Sequence, residues 1–310
     1  MNIAASINSA PILIERAEPS SPILAVTGHD TISIKAGTIV TIGDRRHAFD
    51  TETPVGVPHF VAGQDYAVRM DVDGQPIAVD IGLEAGSDGV SFAGFHYAPG
   101  GNATARAGGD DMPAINPCSC WDAGFRPACP DIRGMALVGI SGGKRFWADI
   151  YLLGRGDHLA NGTSRFDVII ADGRDLPSRL DGDGRFDKLD YAAARAIYAH
   201  HGKQLLGAEE FFAVAYGVTE RAARGKDPKL TGDVANGAAR FTSKWGLFDA
   251  TGSMWQWGTD GDPDDPRPAV FGGSWWNVGH AGSRCAALDF WAGYSNENIS
   301  ARGRSDHLEA

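Results

Sequence analysis

The 310-residue chain carries 28 Lys and Arg against 39 Asp and Glu, a formal net charge of −11, with 43% apolar and 22% charged residues. That composition excludes wholesale disorder, and the acidic balance excludes a nucleic-acid backbone or an anionic membrane surface as the main partner. No apolar run approaches the ~20 residues of a membrane span. The opening stretch has no basic residue before Arg16 and does not read as a secretory signal, so a protein made in the cytoplasm is expected.

The first eighty residues read as β structure. Thr31–Ile42 alternates polar and apolar positions around a break at Ala36–Gly37, where a turn or bulge fits. Asp65–Asp80 is two strand-like halves around Asp73–Gly74, a hairpin signal. Few apolar side chains there are large, so a partner chain is expected to complete the buried surface. Gly94–Asn116, dominated by Gly, Ala, Asn and Pro, reads as a linker or long surface loop. A domain boundary is placed near 115, giving an N-terminal β domain with linker (1–115) and a second domain (116–310).

In that second part, strands are predicted at Met135–Ile140 and Phe146–Leu153. Asp190–His201 has helical spacing, with Asp187 or Asp190 as N-cap and Gly202 just past its end. Gly207–Tyr216 predicts a second helix, with Glu209 and Glu210 suited to its first turn. Beyond Gly217 short strands and long loops are expected. They hold Trp245, Trp255, Trp257, Trp275, Trp276 and Trp291, much aromatic mass with little regular structure to account for it.

Candidate chemistry is sparse. Cys118, Cys120 and Cys129 lack the usual C-x2-C knuckle and a nearby fourth ligand, so reduced thiols are expected rather than a metal centre. Cys285 reads as a buried structural thiol. Asp181, Asp183, Asp187 and Asp190 resemble a calcium loop, but the closing bidentate Glu is missing. A solvated loop capping the next helix explains them more simply. Asp260, Asp262, Asp264 and Asp265 read as a solvated turn stiffened by Pro263 and Pro266. His200–His201 reads as a partly charged cap at a helix C-terminus. The chain has no G-x-S-x-G, P-loop, H-E-x-x-H or Rossmann fingerprint, so no catalytic residue, metal or cofactor is expected.

Residues 246–310 stand apart. Gly246-Leu-Phe-Asp-Ala-Thr-Gly-Ser-Met-Trp-Gln-Trp257 is followed by Phe271-Gly-Gly-Ser-Trp275, then Gly282-Ser-Arg-Cys-Ala286, then Ile299-Ser-Ala-Arg-Gly303. In this order the motifs resemble the C-type lectin fold of the formylglycine-generating-enzyme subtype, as does His201-Gly-Lys-Gln-Leu-Leu-Gly-Ala-Glu-Glu-Phe211. The ending Ala301-Arg-Gly-Arg-Ser-Asp-His-Leu308 resembles the terminus of phage major tropism determinants, the variable proteins of diversity-generating retroelements. Arg126–Leu137, Phe146–Tyr151 and Phe241–Gly246 are similar to that group as well.

The resemblance implies an α+β protein. Its C-terminal C-type lectin fold has two helices, short antiparallel strands and long loops, preceded by an all-β N-terminal domain. It implies a receptor-binding protein at a phage tail-fibre tip, homotrimeric, whose partners are a host cell-surface receptor (protein or glycan) and other tail-fibre or virion proteins. A variable region of about 270–300 is implied, with ligand-binding positions Ser274, Trp276, Asn277, His280, Ala287, Asp289, Phe290, Tyr294, Asn296 and Asn298. Trp255, Trp257, Gly272, Gly273, Trp275, Arg284, Arg302 and Gly303 would be its frame. Adenine mutagenesis of Asn codons yields Ser, His, Ala, Asp, Phe and Tyr but not Trp, so Trp276 departs from that scheme. Two rival readings are weighed. A formylglycine-generating oxidase needs paired thiolates for copper, and Trp275–Ser283 contains no Cys. A cellular surface-display protein is the other.

Overall fold

In the computed structural model, residues 11–82, 89–100 and 112–308 are described, except 157, 236 and 263. The first ten residues, positions 101–111 of the expected linker, and Pro263 lie outside them. Among the described residues short strands dominate, with three α-helices: α1 (His158–Asn161), α2 (Tyr191–His200) and α3 (Ala208–Val214).

The predicted alternation of Thr31–Ile42 resolves into strands Ile32–Ile34 and Thr38–Ile42, with Gly37 at φ +76° between them. Only glycine enters that region without cost. Thr38–Ile42 is the centre of a three-stranded antiparallel sheet between Ile12–Glu15 and Arg45–Phe49. The Asp73–Gly74 signal forms the hairpin of Gln64–Met70 with Pro76–Asp80, Met70 facing Pro76. Its turn is closed by Asp71, whose carboxylate accepts from the Asp73 and Gln75 amides at 2.9 and 2.8 Å.

One expectation is corrected here. Part of the expected linker is an interior strand: Ala93–Ala98 pairs with Gln64–Met70 on one side and with Ala114–Ile115 and Trp121–Asp122 on the other. Its Phe95 and His96 are buried, so ladder pairing and aromatic burial outweigh the loop-like composition around them. The N-terminal part also builds a core of its own. Phe49, Phe60, Tyr66, Phe92 and Phe95 pack with Ile23, Ile32, Ile34, Val40, Val68 and Ile115, and Phe60 meets Tyr66 edge-on at 4.6 Å. Buried polar bonds tie it to the remainder of the chain. Arg16 pairs with Asp122 at 2.7 Å, Asp65 accepts from the Gly134 amide at 3.0 Å, and His96 Nε2 bonds Tyr151 Oη at 2.8 Å.

From Ala114 onward the strands Met135–Gly139 and Arg145–Asp149 form a hairpin at the predicted place. Arg145–Asp149 then pairs with Gly303–Leu308, so the C-terminal strand lies inside the sheet. Helix α2 starts at Asp190, whose carboxylate accepts from the Ala193 amide at 2.9 Å, and gives way to Gly202 at φ +67°. Helix α3 buries Phe211 against Phe271, stacked at 4.9 Å. A four-stranded sheet holds the remaining motifs, in the order Ala286–Ala287, Pro268–Phe271, Trp255–Thr259, Ile299–Ala301, with Trp255–Thr259 and Ile299–Ala301 parallel.

His201 is not a charged cap. Its Nε2 lies 2.9 Å from Nδ1 of His158, and burial first, then the neighbouring His158 and Lys203, push its imidazole down to about 4. It is therefore neutral at pH 7.

Candidate binding face

The Gly246–Trp257 motif is a self-bonded loop. Asp249 sits at φ 52° and is buried, its carboxylate accepting from Arg224 (2.9 and 3.0 Å) and from the Ser253 hydroxyl (2.7 Å). Gly252 is required: at φ +69° a Cβ there would lie 2.4 Å from the Ala222 carbonyl oxygen. Gln256 donates to the Asp249 and Ala250 carbonyls, each at 3.0 Å. Its own carbonyl accepts from Arg302 Nε at 3.0 Å.

Arg302 is fully buried. Its other donors reach the main-chain oxygens of Asp149 (2.5 Å), Ile150 (2.9 Å) and Phe248 (2.5 Å), while burial pulls its pKa down to about 10. Trp257, also buried, donates to the Leu189 carbonyl at 3.1 Å. In the Gly202–Phe211 motif, buried Lys203 reaches Asp149 at 2.7 Å and Thr163 at 2.9 Å. These side chains weld the sheets together beneath the candidate segment.

That segment leaves the frame at Gly272 and Gly273, both left-handed at φ +88° and +71°. Their carbonyls accept from the Gly252 amide at 3.2 and 3.1 Å, and the Gly272 amide donates to the Cys285 carbonyl at 2.7 Å. The Trp275 indole packs on Leu152, Ile170 and Met254, half-buried, and its amide donates to Ser253 at 2.8 Å. Trp255 donates to the Asn298 carbonyl at 2.9 Å, and a Cβ on Gly303 would meet the Tyr198 ring at 2.4 Å. These expected frame residues are thus placed at junctions. Arg284 is exposed instead.

The expected ligand-binding positions divide. Ser274 is fully buried, and its hydroxyl and amide both donate to Asn277 Oδ1 at 2.8 Å. This correction has a simple cause: the pair closes the turn after Gly273, so Ser274 belongs to the frame. Trp276 and His280 are exposed, with Trp276 lying 5.3 Å from Trp275. Beyond the turn at 282–285, Asp289 is exposed at φ 57° and Ala287 is half-buried on its short strand. Phe290 packs edge-on against Trp257 (5.9 Å) and Tyr294 (5.3 Å). The Tyr294 hydroxyl donates to Asn298 Oδ1 at 3.0 Å and accepts from Asn296 at 3.4 Å. The structure thus brings Phe290, Tyr294, Asn296 and Asn298 into one cluster.

Three residues escaped the sequence reading. Val278, Leu288 and Trp291 are 68%, 55% and 71% exposed, beside Trp276 at 64%. Trp291 also touches Tyr294 at 6.4 Å. Their signal was present: large apolar side chains in a stretch with neither helical nor strand periodicity. Four such exposed groups thus fall within residues 276–291.

The other candidates stay bland. Asp181 accepts from the Asp183 amide (2.9 Å), and Asp187 lies 3.4 Å from Arg179. Asp260 and Asp262 cap the amides of Asp262, Asp264, Asp265 and Arg267. Among the described residues no three His, Cys, Asp or Glu side chains are grouped to hold a metal ion. All four cysteines are free thiols. Burial pushes Cys118 up to about 11 and Cys120 up to about 12, and raises Cys129 and Cys285. No helix among the described residues is long and apolar enough to cross a membrane.

Known proteins agree with this geometry. The family model "Mtd second domain" matches residues 22–122. The chain is 39% identical over 326 aligned positions to the tail fiber receptor-binding protein of Bordetella phage BPP-1, covering 94% of this chain and 84% of that protein. Among solved structures it is similar to the Major Tropism Determinant U1 variant, with TM-score 0.86 and 37% identity over 96% of this chain and 86% of that one. The P3c variant matches with TM-score 0.85 and 39% identity, over 96% and 86%. Mostly β with few helices, an architecture consistent with a C-type lectin-like fold, the chain belongs to the major tropism determinant family.

Proposed function

We infer that this chain is the receptor-binding protein of a phage tail fibre and determines which host the virion attaches to. The observation that carries the reading is the exposed aromatic and aliphatic set of residues 276–291 on a rigidly bonded frame, in a chain 39% identical to a tail fibre receptor-binding protein. Trp and Tyr side chains lose little conformational entropy on contact and dominate binding hot spots. The ligand-binding set is Trp276, Asn277, Val278, His280, Ala287, Leu288, Asp289, Phe290, Trp291, Tyr294, Asn296 and Asn298; a retroelement diversifies these positions around a fixed lectin frame, except Trp276 and Trp291, whose codon adenine mutagenesis of Asn does not reach.

The remainder of the chain serves this face. Residues 1–115 form an all-β N-terminal domain that attaches to other virion proteins and gathers three copies, so that weak single sites act with avidity. A separately packed N-terminal core supports the existence of such a domain, while the family match to residues 22–122 and the core's Cys120 run past residue 115. An oxidase of the formylglycine-generating type is disfavoured because Cys285 is the sole cysteine after Cys129, whereas Cu(I) chemistry there needs two thiolates.

Sequencing the DNA beside the gene tests the diversification. A near-copy of the segment encoding 270–305 is expected, differing at adenines, next to a reverse-transcriptase gene. Its absence, with an invariant segment across isolates, would leave a lectin-like protein of fixed specificity.

A further inference from the structure

The candidate face has two arms, residues 274–281 and 286–298, joined by the turn Gly282–Cys285. The inner side of that turn is held by backbone: the Gly282 amide donates to Gly272 at 3.2 Å and the Cys285 amide to Gly282 at 3.1 Å. Its outer side is held by one side chain from a distant segment. Glu220 accepts the Ser283 amide on both carboxylate oxygens, at 3.2 and 3.1 Å, and the Ser283 hydroxyl on one of them at 2.5 Å. A Cβ built on Gly282 would fall 2.1 Å from Glu220 Oε2, so the glycine is what admits the carboxylate.

Glu220 is exposed, but the backbone that carries it is anchored on both sides. The preceding amide, of Thr219, donates to Arg240 at 2.8 Å. Arg224, whose amide donates to Gly252 at 2.9 Å, has its guanidinium on Asp249. Arg221, next in the chain, is held left-handed at φ 57°, a conformation that persists only where the surroundings impose it. The frame that carries the face through Gly252 and Gly272 therefore also carries the carboxylate that grips the turn between its arms.

We propose that Glu220 is a positioning residue for the candidate face: its carboxylate fixes the two arms relative to each other, whatever side chains they display. The proposal rests on reading 274–298 as the binding segment. The bonds are charge-assisted and solvent-exposed, the hydroxyl bond being the short one. They use only the Ser283 amide and hydroxyl, which lie outside the diversified positions. A frame locked in advance spares the ordering entropy that binding would otherwise cost.

The test uses the full chain with Glu220→Ala, Glu220→Gln, Ser283→Ala and the double Glu220→Ala/Ser283→Ala. Amide hydrogen exchange is followed over 279–286. The probe for the face is a single-domain antibody selected on the wild-type chain and mapped there by loss of binding to Trp276→Ala and Trp291→Ala. Glu220→Ala is expected to raise exchange at Ser283 by ~tenfold and antibody dissociation by ~fivefold, with the thermal midpoint unchanged. Glu220→Gln, keeping one acceptor oxygen, recovers part of both. The double variant is no worse than Glu220→Ala alone, as for two partners of one interaction. Unchanged exchange, unchanged dissociation or fully additive effects would each overturn the proposal. Host-cell adsorption of Trp276→Ala reports separately on the binding reading. If it stays at wild-type level while exchange and antibody respond as stated, the binding reading falls and the positioning role stands.

Discussion

Replacing Arg302 by Met probes the frame under the face. The Met side chain fills much of the stem volume, so the cavity contribution is small and the polar contribution is isolated. Gln256 Oε1 and the carbonyls of Asp149 and Phe248 lose their donor, while the Ile150 carbonyl keeps the Phe248 amide at 2.9 Å. At about 2 kcal/mol for each of the three acceptors left unpaired, the loss is roughly 6 kcal/mol. Against it stands the relief from removing a buried charge. Burial lowers Arg302 from 12.5 to about 10, which corresponds to about 3 kcal/mol. The net expectation is a loss of about 3 kcal/mol, at the low end of the range for breaking a buried charged partnership, and a thermal midpoint lower by roughly 5 °C. Urea unfolding followed by near-ultraviolet dichroism measures it, because Trp257 and Trp255 sit on the affected sheet. A loss below about 1 kcal/mol would refute the reasoning, showing that the carbonyls find other donors at little cost.

Three further outcomes are expected. Gly252→Ala forces a Cβ to within 2.4 Å of the Ala222 oxygen at φ +69°, so it should cost more than about 2 kcal/mol in chemical denaturation. Val278 holds a β-branched side chain at φ 38°; Val278→Gly should raise stability by roughly 0.5–1 kcal/mol, and a fall would show that the conformation is unstrained. His201 has a folded pKa of about 4, below its ordinary 6.5, so its contribution is full above pH 6.5 and is lost as pH falls from there towards 4. Partial exposure reduces that contribution to about 1–2 kcal/mol, and wild type minus His201→Gln, compared at pH 7.5 and 4.5 by urea midpoints, should show it shrinking.

How much of this was legible in the sequence depended on whether its cause was local. The Asp73–Gly74 hairpin, the Asp190 cap and the Gly202 stop are chosen by neighbouring residues, and each stands where the spacing places it. Gly94–Ala98 was misread because its strand character comes from pairing on both sides, with Gln64–Met70 and with segments twenty residues on. The same holds for His201, whose proton affinity is lowered first by burial and then by His158, distant in the chain. At the face, the Gly272–Gly273 exit and the buried Trp257 and Arg302 followed from motif resemblance. The family resemblance places Ser274 in the ligand-binding set, yet the turn folds its hydroxyl back onto Asn277. Val278, Leu288 and Trp291 were passed over because the diversification pattern directs attention to particular codons, whereas exposure is decided by where the loop turns.

The central claim is that the segment from Trp276 to Asn298 contacts the receptor. The direct measurement is adsorption of the fluorescently labelled chain to the host cells it binds, comparing wild type with Trp276→Ala/Trp291→Ala and with Phe212→Ala/Tyr216→Ala, which removes exposed aromatics on and just after α3. Loss of two hot-spot aromatics should lower adsorption by tenfold or more, at about 2 kcal/mol each, with wild-type adsorption retained within about twofold for the α3 pair. Wild-type adsorption by Trp276→Ala/Trp291→Ala, or loss confined to the α3 pair, would contradict the account and move the receptor site to the helical side.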